Sequence, residues 1–112
     1  MAKPLTLIGI SGSRVGQATV VEGRSSVIGS AGGCDLMMHD RLILPRHAEL
    51  RVALDRWFIR PLDPRATVFV NGEPVTAQQR IEAGDLVTVG TATFKAAIGT
   101  SQERQVGGTA RW

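Results

Sequence analysis

The sequence lacks several features that mark common classes of protein. Its 112 residues contain one cysteine, Cys34, so no disulfide can form within the chain and no second thiolate is available for a zinc site. No apolar run approaches the roughly 18 residues needed to cross a bilayer. We therefore expect no membrane insertion of this segment, no metal site and no redox chemistry.

Clustered positive charge is also absent. The 13 basic residues, 11 of them arginine, are spread singly from Lys3 to Arg111, and the formal net charge is +3. Proteins that bind nucleic acid usually carry a concentrated cationic stripe or aromatic residues interleaved with one. The few aromatic residues of this chain form no such pattern, so we expect no nucleic-acid binding.

The N-terminal residues MAKPLTLIGISG form an apolar run too short and too regularly patterned for a secretory signal, which predicts a cytoplasmic location. The length fits one domain, which we place at residues 1–99. Beyond Gly99 the sequence TSQERQVGGTARW loses its apolar periodicity. We therefore expect residues 100–112 to be a flexible C-terminal tail or linker.

The clearest strand pattern runs from residue 47 to residue 54. Leu50, Val52 and Leu54 share one face, and residues 49, 51 and 53 take the other, as a strand with one buried side requires. We expect Asp55-Arg56 to turn the chain into a second strand, RWFIR, that pairs with the first as a central hairpin.

Short apolar runs separated by glycine, proline and asparagine turns make up most of the remaining sequence. Asn71-Gly72 predicts a tight hairpin, and Pro74, which cannot donate to a sheet, predicts that its strand lies at an edge. No convincing helical pattern occurs. We therefore predict an all-β sandwich of about eleven short strands in two packed, mostly antiparallel sheets.

A series of short motifs resembles the forkhead-associated (FHA) domain in order and spacing and covers about residues 5 to 97. The motifs are Ile28-Gly29, Cys34-Asp35-Leu36, Asp40, Arg46-His47-Ala48, Val70-Asn71-Gly72, Gly84-Asp85 and Val89-Gly90. This resemblance implies an eleven-stranded β-sandwich that binds phosphothreonine peptides through loops at one end, without catalysis and without a cofactor.

The phosphate-binding residues of that family do not match in this sequence. The family's phosphate-gripping arginine falls on Ser30, its serine before the loop histidine falls on Leu44, and its peptide-holding asparagine segment falls on Ala66-Thr67. The positions that maintain the fold do match, and the resemblance implies a structural bracing role for them. These positions are Gly29, His47, Asn71 and Gly72.

The missing residues decide the functional expectation. A phosphate dianion needs charged or well-aimed donors to offset its desolvation, and the arginine fork suits it best. If each lost charge-assisted bond is worth roughly 1.5–3 kcal/mol, the loss of two costs about 3–6 kcal/mol. A micromolar phosphopeptide would then bind at roughly millimolar concentration or more weakly.

Several candidate peptide-binding residues lie on the loops that the resemblance brings to one end of the sandwich. They are Ser30, Arg41, Leu44, Arg46, Arg65, Ala66 and Thr67. The apolar run Leu42-Ile43-Leu44 has two interpretations: a surface patch that contacts another protein, or side chains of which two pack inward. Neither histidine has a serine or cysteine partner at motif spacing, so we expect no enzyme.

Three hypotheses follow. The first is a bacterial adaptor or scaffold module, part of a larger signalling or secretion-related protein, that binds another protein or peptide independently of phosphorylation. The alternative is an atypical phosphothreonine-binding domain in which Arg41, Arg46 or Arg65 supplies the phosphate contact. The third is a structural or self-associating domain.

Overall fold

The structure, a computed structural model, describes residues 3–99, which form eleven β-strands in two sheets. The strands are β1 (Leu5–Ser11), β2 (Ala18–Val21), β3 (Ser25–Gly29), β4 (Leu36–Met37), β5 (Ala48–Ala53), β6 (Arg56–Pro61), β7 (Val68–Val70), β8 (Glu73–Pro74), β9 (Gln79–Ile81), β10 (Leu86–Val89) and β11 (Ala92–Ile98). The predicted all-β sandwich is confirmed.

The tail predicted at residues 100–112 lies outside the described residues. No helix long and apolar enough to cross a membrane occurs among those described.

The two sheets are mostly antiparallel, as predicted. The larger has the strand order β2-β1-β11-β10-β7-β8 and the smaller the order β4-β3-β5-β6-β9. Only β3 and β4 pair in parallel among the described strands. The central hairpin of β5 and β6 is also confirmed, with Ala48 opposite Pro61 and Ala53 opposite Arg56. Pro74 lies on β8, an edge strand, as its missing N–H predicted.

The core lies between the sheets and is filled by the inward-facing side chains of each strand. Phe94 of β11, Leu7 of β1 and Ile59 of β6 are fully buried. Trp57 also points inward, and its Nε1–H donates to the carbonyl oxygen of Lys3 at 2.9 Å, so burial of the indole leaves no unsatisfied donor. Most of the alternating sequence pattern is therefore explained by one buried face per strand.

Two hairpin turns have a positive φ at both central residues. The angles are 53° at Asn71 and 83° at Gly72, and 52° at Leu54 and 63° at Asp55. Tight two-residue turns of this kind favour asparagine and glycine, which is why the sequence predicted the first of them. Leucine at such a position carries a steric cost because its Cβ approaches the following carbonyl oxygen.

Asn71 also joins its turn to the chain ahead of β10. Its side-chain oxygen accepts from the Leu86 N–H at 2.9 Å, and its amide donates to Asp85 Oδ1 at 3.0 Å. The Asn71 N–H donates to the Leu86 carbonyl at 2.7 Å. Two loops at this end of the sandwich are thus held together by one amide side chain.

The prediction that Leu54 shares the buried face of its strand is wrong. β5 ends at Ala53, the turn consists of Leu54 and Asp55 rather than Asp55-Arg56, and the Leu54 side chain is 87% exposed. An alternating pattern can continue by chance into a turn, where the strand geometry that gives it meaning no longer holds. Strand β9 was not predicted at all, because Ile81 is its one buried residue.

The two turns generate a paired prediction. Replacing Leu54 with Asn should raise the free energy of unfolding by about 1 kcal/mol, because asparagine tolerates positive φ and the leucine is largely exposed. Asn71→Leu should lower it by about 2 kcal/mol or more, because strain is introduced and two hydrogen bonds are lost. Urea denaturation of the three proteins measures both changes. A Leu54→Asn protein no more stable than the parent would contradict the strain argument.

Candidate functional site

Three loops meet at one end of the sandwich and form what we call the loop cluster, residues 30–35, 38–47 and 62–67. Ser30 N–H donates to the Leu44 carbonyl at 3.0 Å, which joins the first two loops. The turn between β10 and β11 borders the cluster, since Gly90 N–H donates to the Thr67 carbonyl at 3.1 Å and Thr91 Oγ1 donates to the Arg41 carbonyl at 3.0 Å.

His47 lies fully buried beneath the loop cluster and joins two of its loops. Its Nδ1 accepts from the Leu44 N–H at 3.1 Å, which assigns the N–H of the ring to Nε2. That Nε2–H donates to the Thr67 carbonyl at 2.9 Å. The backbone of His47 is equally engaged, donating to Ile28 at 2.8 Å and accepting from Leu62 at 2.9 Å.

Gly29 permits the close approach of two of these loops. A Cβ built on Gly29 would lie 2.1 Å from the Pro45 carbonyl oxygen and 3.0 Å from Cys34 Sγ. The Cys34 thiol donates to the same Pro45 oxygen at 3.2 Å, and the Gly29 carbonyl accepts from the Met38 N–H at 2.9 Å. Because the obstructing atom is backbone, it cannot rotate away from a larger residue.

Two of the candidate residues at positions where the resemblance implies phosphate ligands, Ser30 and Leu44, are adjacent. Ser30 and Leu44 are both half-buried and joined by the backbone hydrogen bond between the first two loops. Ala66 and Thr67 follow on the third loop, where the Thr67 carbonyl is engaged by both His47 and Gly90. All seven candidate residues therefore lie on the connected loops of one cluster, since Arg41, Arg46 and Arg65 belong to the same loops.

The three residues of the apolar run in the second loop differ in how far they are buried. Ile43 packs against the core and Leu44 is half-buried, whereas Leu42 is 65% exposed with a φ of 69°. The inward-packing interpretation therefore describes two of the three residues. The exposed Leu42 lies beside Gly90, where a Cβ would approach within 3.2 Å of the Leu42 carbonyl carbon.

The three candidate arginines differ in how they are engaged. Arg65 Nε and Nη2 donate to the two carboxylate oxygens of Asp63, each at 3.1 Å. These bonds hold the pKa of Asp63 below, and that of Arg65 above, their usual values. Arg41 and Arg46 are exposed, and neither side chain forms a hydrogen bond or ion pair with any residue in 3–99.

Asn71 and Gly72 lie outside the loop cluster. They follow the C-terminal end of β7, while Thr67 precedes its N-terminal end, so strand β7 separates them from the cluster. Any bracing role of this pair therefore acts on the far end of the sandwich.

A groove of about 560 Å³ adjoins the third loop and was not predicted from the sequence. It runs between that loop and the β7–β8 edge, and its lining is rich in proline and other apolar residues. These are Pro61, Leu62, Pro64, Ala66, Val68, Phe69, Pro74 and Val75, together with Asp63, Thr67 and Thr76. Because the lining comes from two separate stretches, residues 61–69 and 74–76, no single local pattern signals the groove.

Asp40 links the second loop to the β1–β2 connection. Its carboxylate accepts from the Ser13 N–H at 2.7 Å and from the Ser13 hydroxyl at 2.5 Å. Burial alone would raise the pKa of Asp40, but the Ser13 hydrogen bonds outweigh this effect, so that the pKa lies below the usual 3.8.

No cluster of three metal-ligating side chains occurs within residues 3–99.

Substitution of Gly29 should disrupt the loop cluster. Gly29→Ala forces Pro45 away and should cost about 2–4 kcal/mol of unfolding free energy, whereas Gly32→Ala should be nearly neutral. Gly32 is the matched control because a Cβ there meets nothing within 4 Å and its φ is not positive. Equal denaturation midpoints for the two variants would contradict the close-approach argument.

Asp40 predicts a pH dependence. Because its folded-state pKa is lowered, its contribution to stability is present above the unfolded value near 3.8 and is lost as pH falls through the folded value. At neutral pH, Asp40→Asn should lower the free energy of unfolding by about 1 kcal/mol. The difference in unfolding free energy between Asp40→Asn and the parent should become smaller as the pH falls below 3.8. Glu73→Gln is the control, because the exposed Glu73 carboxylate has no hydrogen-bond partner in residues 3–99 and its φ is not positive.

Solved structures with the same fold include several FHA domains. The structure matches an FHA domain from Arabidopsis thaliana with a TM-score of 0.80, at 18% identity over 88% of each chain. It matches the FHA domain of CT664 from Chlamydia trachomatis with a TM-score of 0.75, at 23% identity over 84% of this chain and 96% of that one. These likenesses confirm the FHA fold.

A third match is the cytoplasmic domain of the T3SS sorting platform protein PscD from P. aeruginosa. Its TM-score is 0.73, at 19% identity over 88% of this chain and 81% of that one. No curated protein matches the sequence. A family model described as "Inner membrane component of T3SS, cytoplasmic domain" matches residues 9–97. The protein has the FHA fold. Because the match to the family model spans most of the chain, the protein belongs to the family of cytoplasmic domains of T3SS inner membrane components.

Proposed function

We propose that this chain is a non-enzymatic protein-interaction module of a bacterial secretion complex, and that its loop cluster binds a partner protein without requiring phosphothreonine. The observation that carries the proposal is the pairing of Ser30 with Leu44. These residues occupy two positions where phosphate-binding members of the fold carry ligands, and here they offer one short hydroxyl and one aliphatic side chain.

The charge distribution around the pair supports the same conclusion. On the third loop of the cluster, the candidate arginine Arg65 is already bound to Asp63 through two hydrogen bonds. A phosphate there would have to displace the carboxylate or lie close to it. Like-charge repulsion would add to the desolvation cost of the dianion.

The apolar surfaces near the cluster suit a protein partner better than an isolated anion. Leu42 exposes most of its side chain at the tip of the second loop, and the groove beside the third loop is lined mainly by apolar residues. Exposed apolar side chains next to a preformed groove are typical of protein contacts. Membership of a T3SS family supports placing such a partner in the cytoplasm, among other secretion components.

A second candidate function is favoured by Arg41 and Arg46. Both guanidinium groups are exposed, and neither is paired within residues 3–99, so each is available to a phosphate that approaches from another direction. In this alternative the domain is an atypical phosphopeptide binder in which one of these two residues replaces the arginine missing at position 30.

Calorimetric titration of the full chain with a phosphothreonine peptide library and its unphosphorylated counterpart separates the two functions. We expect no phosphorylation-dependent binding at micromolar concentration. Micromolar binding that disappears on dephosphorylation would overturn the proposal. If Arg41→Ala or Arg46→Ala then abolished that binding, the atypical mode would be identified.

The Ser30→Arg, Leu44→Ser double variant provides a gain-of-function comparison. Restoring two charge-assisted or hydroxyl contacts should strengthen phosphopeptide binding by about 100-fold or more over the parent. The backbone bonds of residues 30 and 44 do not use these side chains, so the fold should persist, which circular dichroism checks. If the variant folds but gains no affinity, other differences, such as Ala66 where the family has asparagine, limit phosphopeptide binding more than residues 30 and 44 do.

A further inference from the structure

The outer face of the five-stranded sheet carries an aligned row of basic and aromatic residues. Arg51 of β5 lies opposite Phe58 of β6, and Phe58 lies opposite Arg80 of β9. The neighbouring residues Trp57 and Ile59 are buried in the core, so the alternation of the strand directs Phe58 outward. Phe58 is half-buried and both arginines are exposed.

Two arginines on this face have no direct hydrogen-bond or ion-pair partner among residues 3–99, although the charge of Arg51 helps to lower the pKa of Glu49, after the hydrogen bonds from Ser25 and Arg60. Arg60 donates to Glu49 at 2.7 Å and Arg80 lies 3.6 Å from Glu82, so these charges are paired. The side chains of Arg51 and Arg56 form no hydrogen bond or ion pair with any residue in 3–99. The larger sheet offers a contrast, because Lys95 and Glu73 are the only charged residues of its described strands and no arginine lies on them.

An exposed apolar residue stands beside the unpaired arginines. Leu54, Arg51, Arg56 and Phe58 line a groove of about 230 Å³ together with Ala53 and Gln78, and we call this the basic-aromatic groove. Leu54 is 87% exposed and held at a φ of 52°, a conformation that asparagine or glycine would adopt more easily. Strained, exposed apolar residues are concentrated at sites that contact ligands.

The groove and the loop cluster lie at opposite ends of the five-stranded sheet. β5 begins at Ala48, directly after His47 of the cluster, and ends at Ala53 beside the groove. A partner in the groove therefore need not touch the loops, and occupation of one site does not depend on the other.

We propose that the basic-aromatic groove is a second docking site, which binds an acidic segment of a partner protein that carries an aliphatic side chain. Carboxylates of that segment pair with Arg51 and Arg56, whose forked guanidinium groups suit carboxylate geometry. The aliphatic side chain covers Phe58 and Leu54. Arginine and aromatic residues together are enriched at the energetic centres of protein interfaces.

The surrounding acidic residues favour a peptide over nucleic acid or an anionic membrane. Asp55 lies at the hairpin tip next to Leu54, and Glu49 and Glu82 border the face. A polyphosphate or anionic lipid surface extends beyond the two unpaired arginines and would meet these carboxylates. A single aromatic residue also provides too little stacking surface for successive bases.

The test uses a short synthetic peptide that alternates glutamate and leucine, titrated into the isotopically labelled full chain and followed by amide NMR. We expect shifts at residues 51–58 and not in the loop cluster. The Arg51→Gln, Arg56→Gln double variant should bind about tenfold more weakly, because two exposed charge pairs are lost. Lys95→Gln removes one charge from the other sheet and should bind like the parent.

A variant at the hairpin tip excludes misfolding as the cause of weaker binding. Leu54→Asn should bind the peptide more weakly although it unfolds at a higher denaturant concentration, since it loses apolar contact and relieves strain. A peptide in which glutamine replaces glutamate should also bind more weakly.

The proposal would be overturned by unchanged affinity of the double arginine variant, by shifts confined to the loop cluster, or by no binding to the parent. It would also be overturned if the parent bound phosphatidylglycerol vesicles or a single-stranded oligonucleotide in preference to the acidic peptide. Shifts confined to the loop cluster would overturn this site and yet agree with the proposed function, and the other outcomes do not bear on phosphopeptide recognition at the loops. Failure of this site and failure of the proposed function are therefore distinguishable.

Discussion

The hydrogen bonds of one buried imidazole determine how the loops of this sandwich are arranged. His47 accepts from the Leu44 N–H and donates to the Thr67 carbonyl, and its own backbone is bonded to Ile28 and Leu62. Loops that are distant in sequence therefore share one rigid junction beneath the surface. Because both ring nitrogens are satisfied by backbone groups, the junction does not depend on which side chains the loops display. The scaffold can therefore persist whichever side chains stand at positions 30 and 44.

Much of the fold could be predicted from the sequence because its signals are local. The Asn71-Gly72 turn, the edge position of Pro74 and the central hairpin each follow from a few neighbouring residues. The predictions were wrong where the local sequence pattern did not match the local structure. The alternating pattern continued past Ala53 into a turn and so misplaced Leu54, and β9 was missed because two of its three residues are exposed.

The candidate sites were less predictable because they are assembled by tertiary structure. Family spacing identified Ser30 and Leu44, but the hydrogen bond between them and the Arg65–Asp63 pair depend on loop conformations that spacing does not give. The basic-aromatic groove has no sequence signature. It arises from strand register, which places Arg51 opposite Phe58, and from Gln78, which comes from a distant part of the sequence.

The edges of both sheets restrict the way in which this domain can meet other proteins. Of the four edge strands described, β4 and β8 each contain two residues, β9 contains three and β2 contains four, and Pro74 provides no N–H on β8. Such short edges offer few unpaired backbone groups to an incoming strand, which protects against aggregation by strand addition. Partners must therefore be selected by side chains, so that substitutions on loops or outer faces can change binding specificity while the hydrogen-bonded framework is retained.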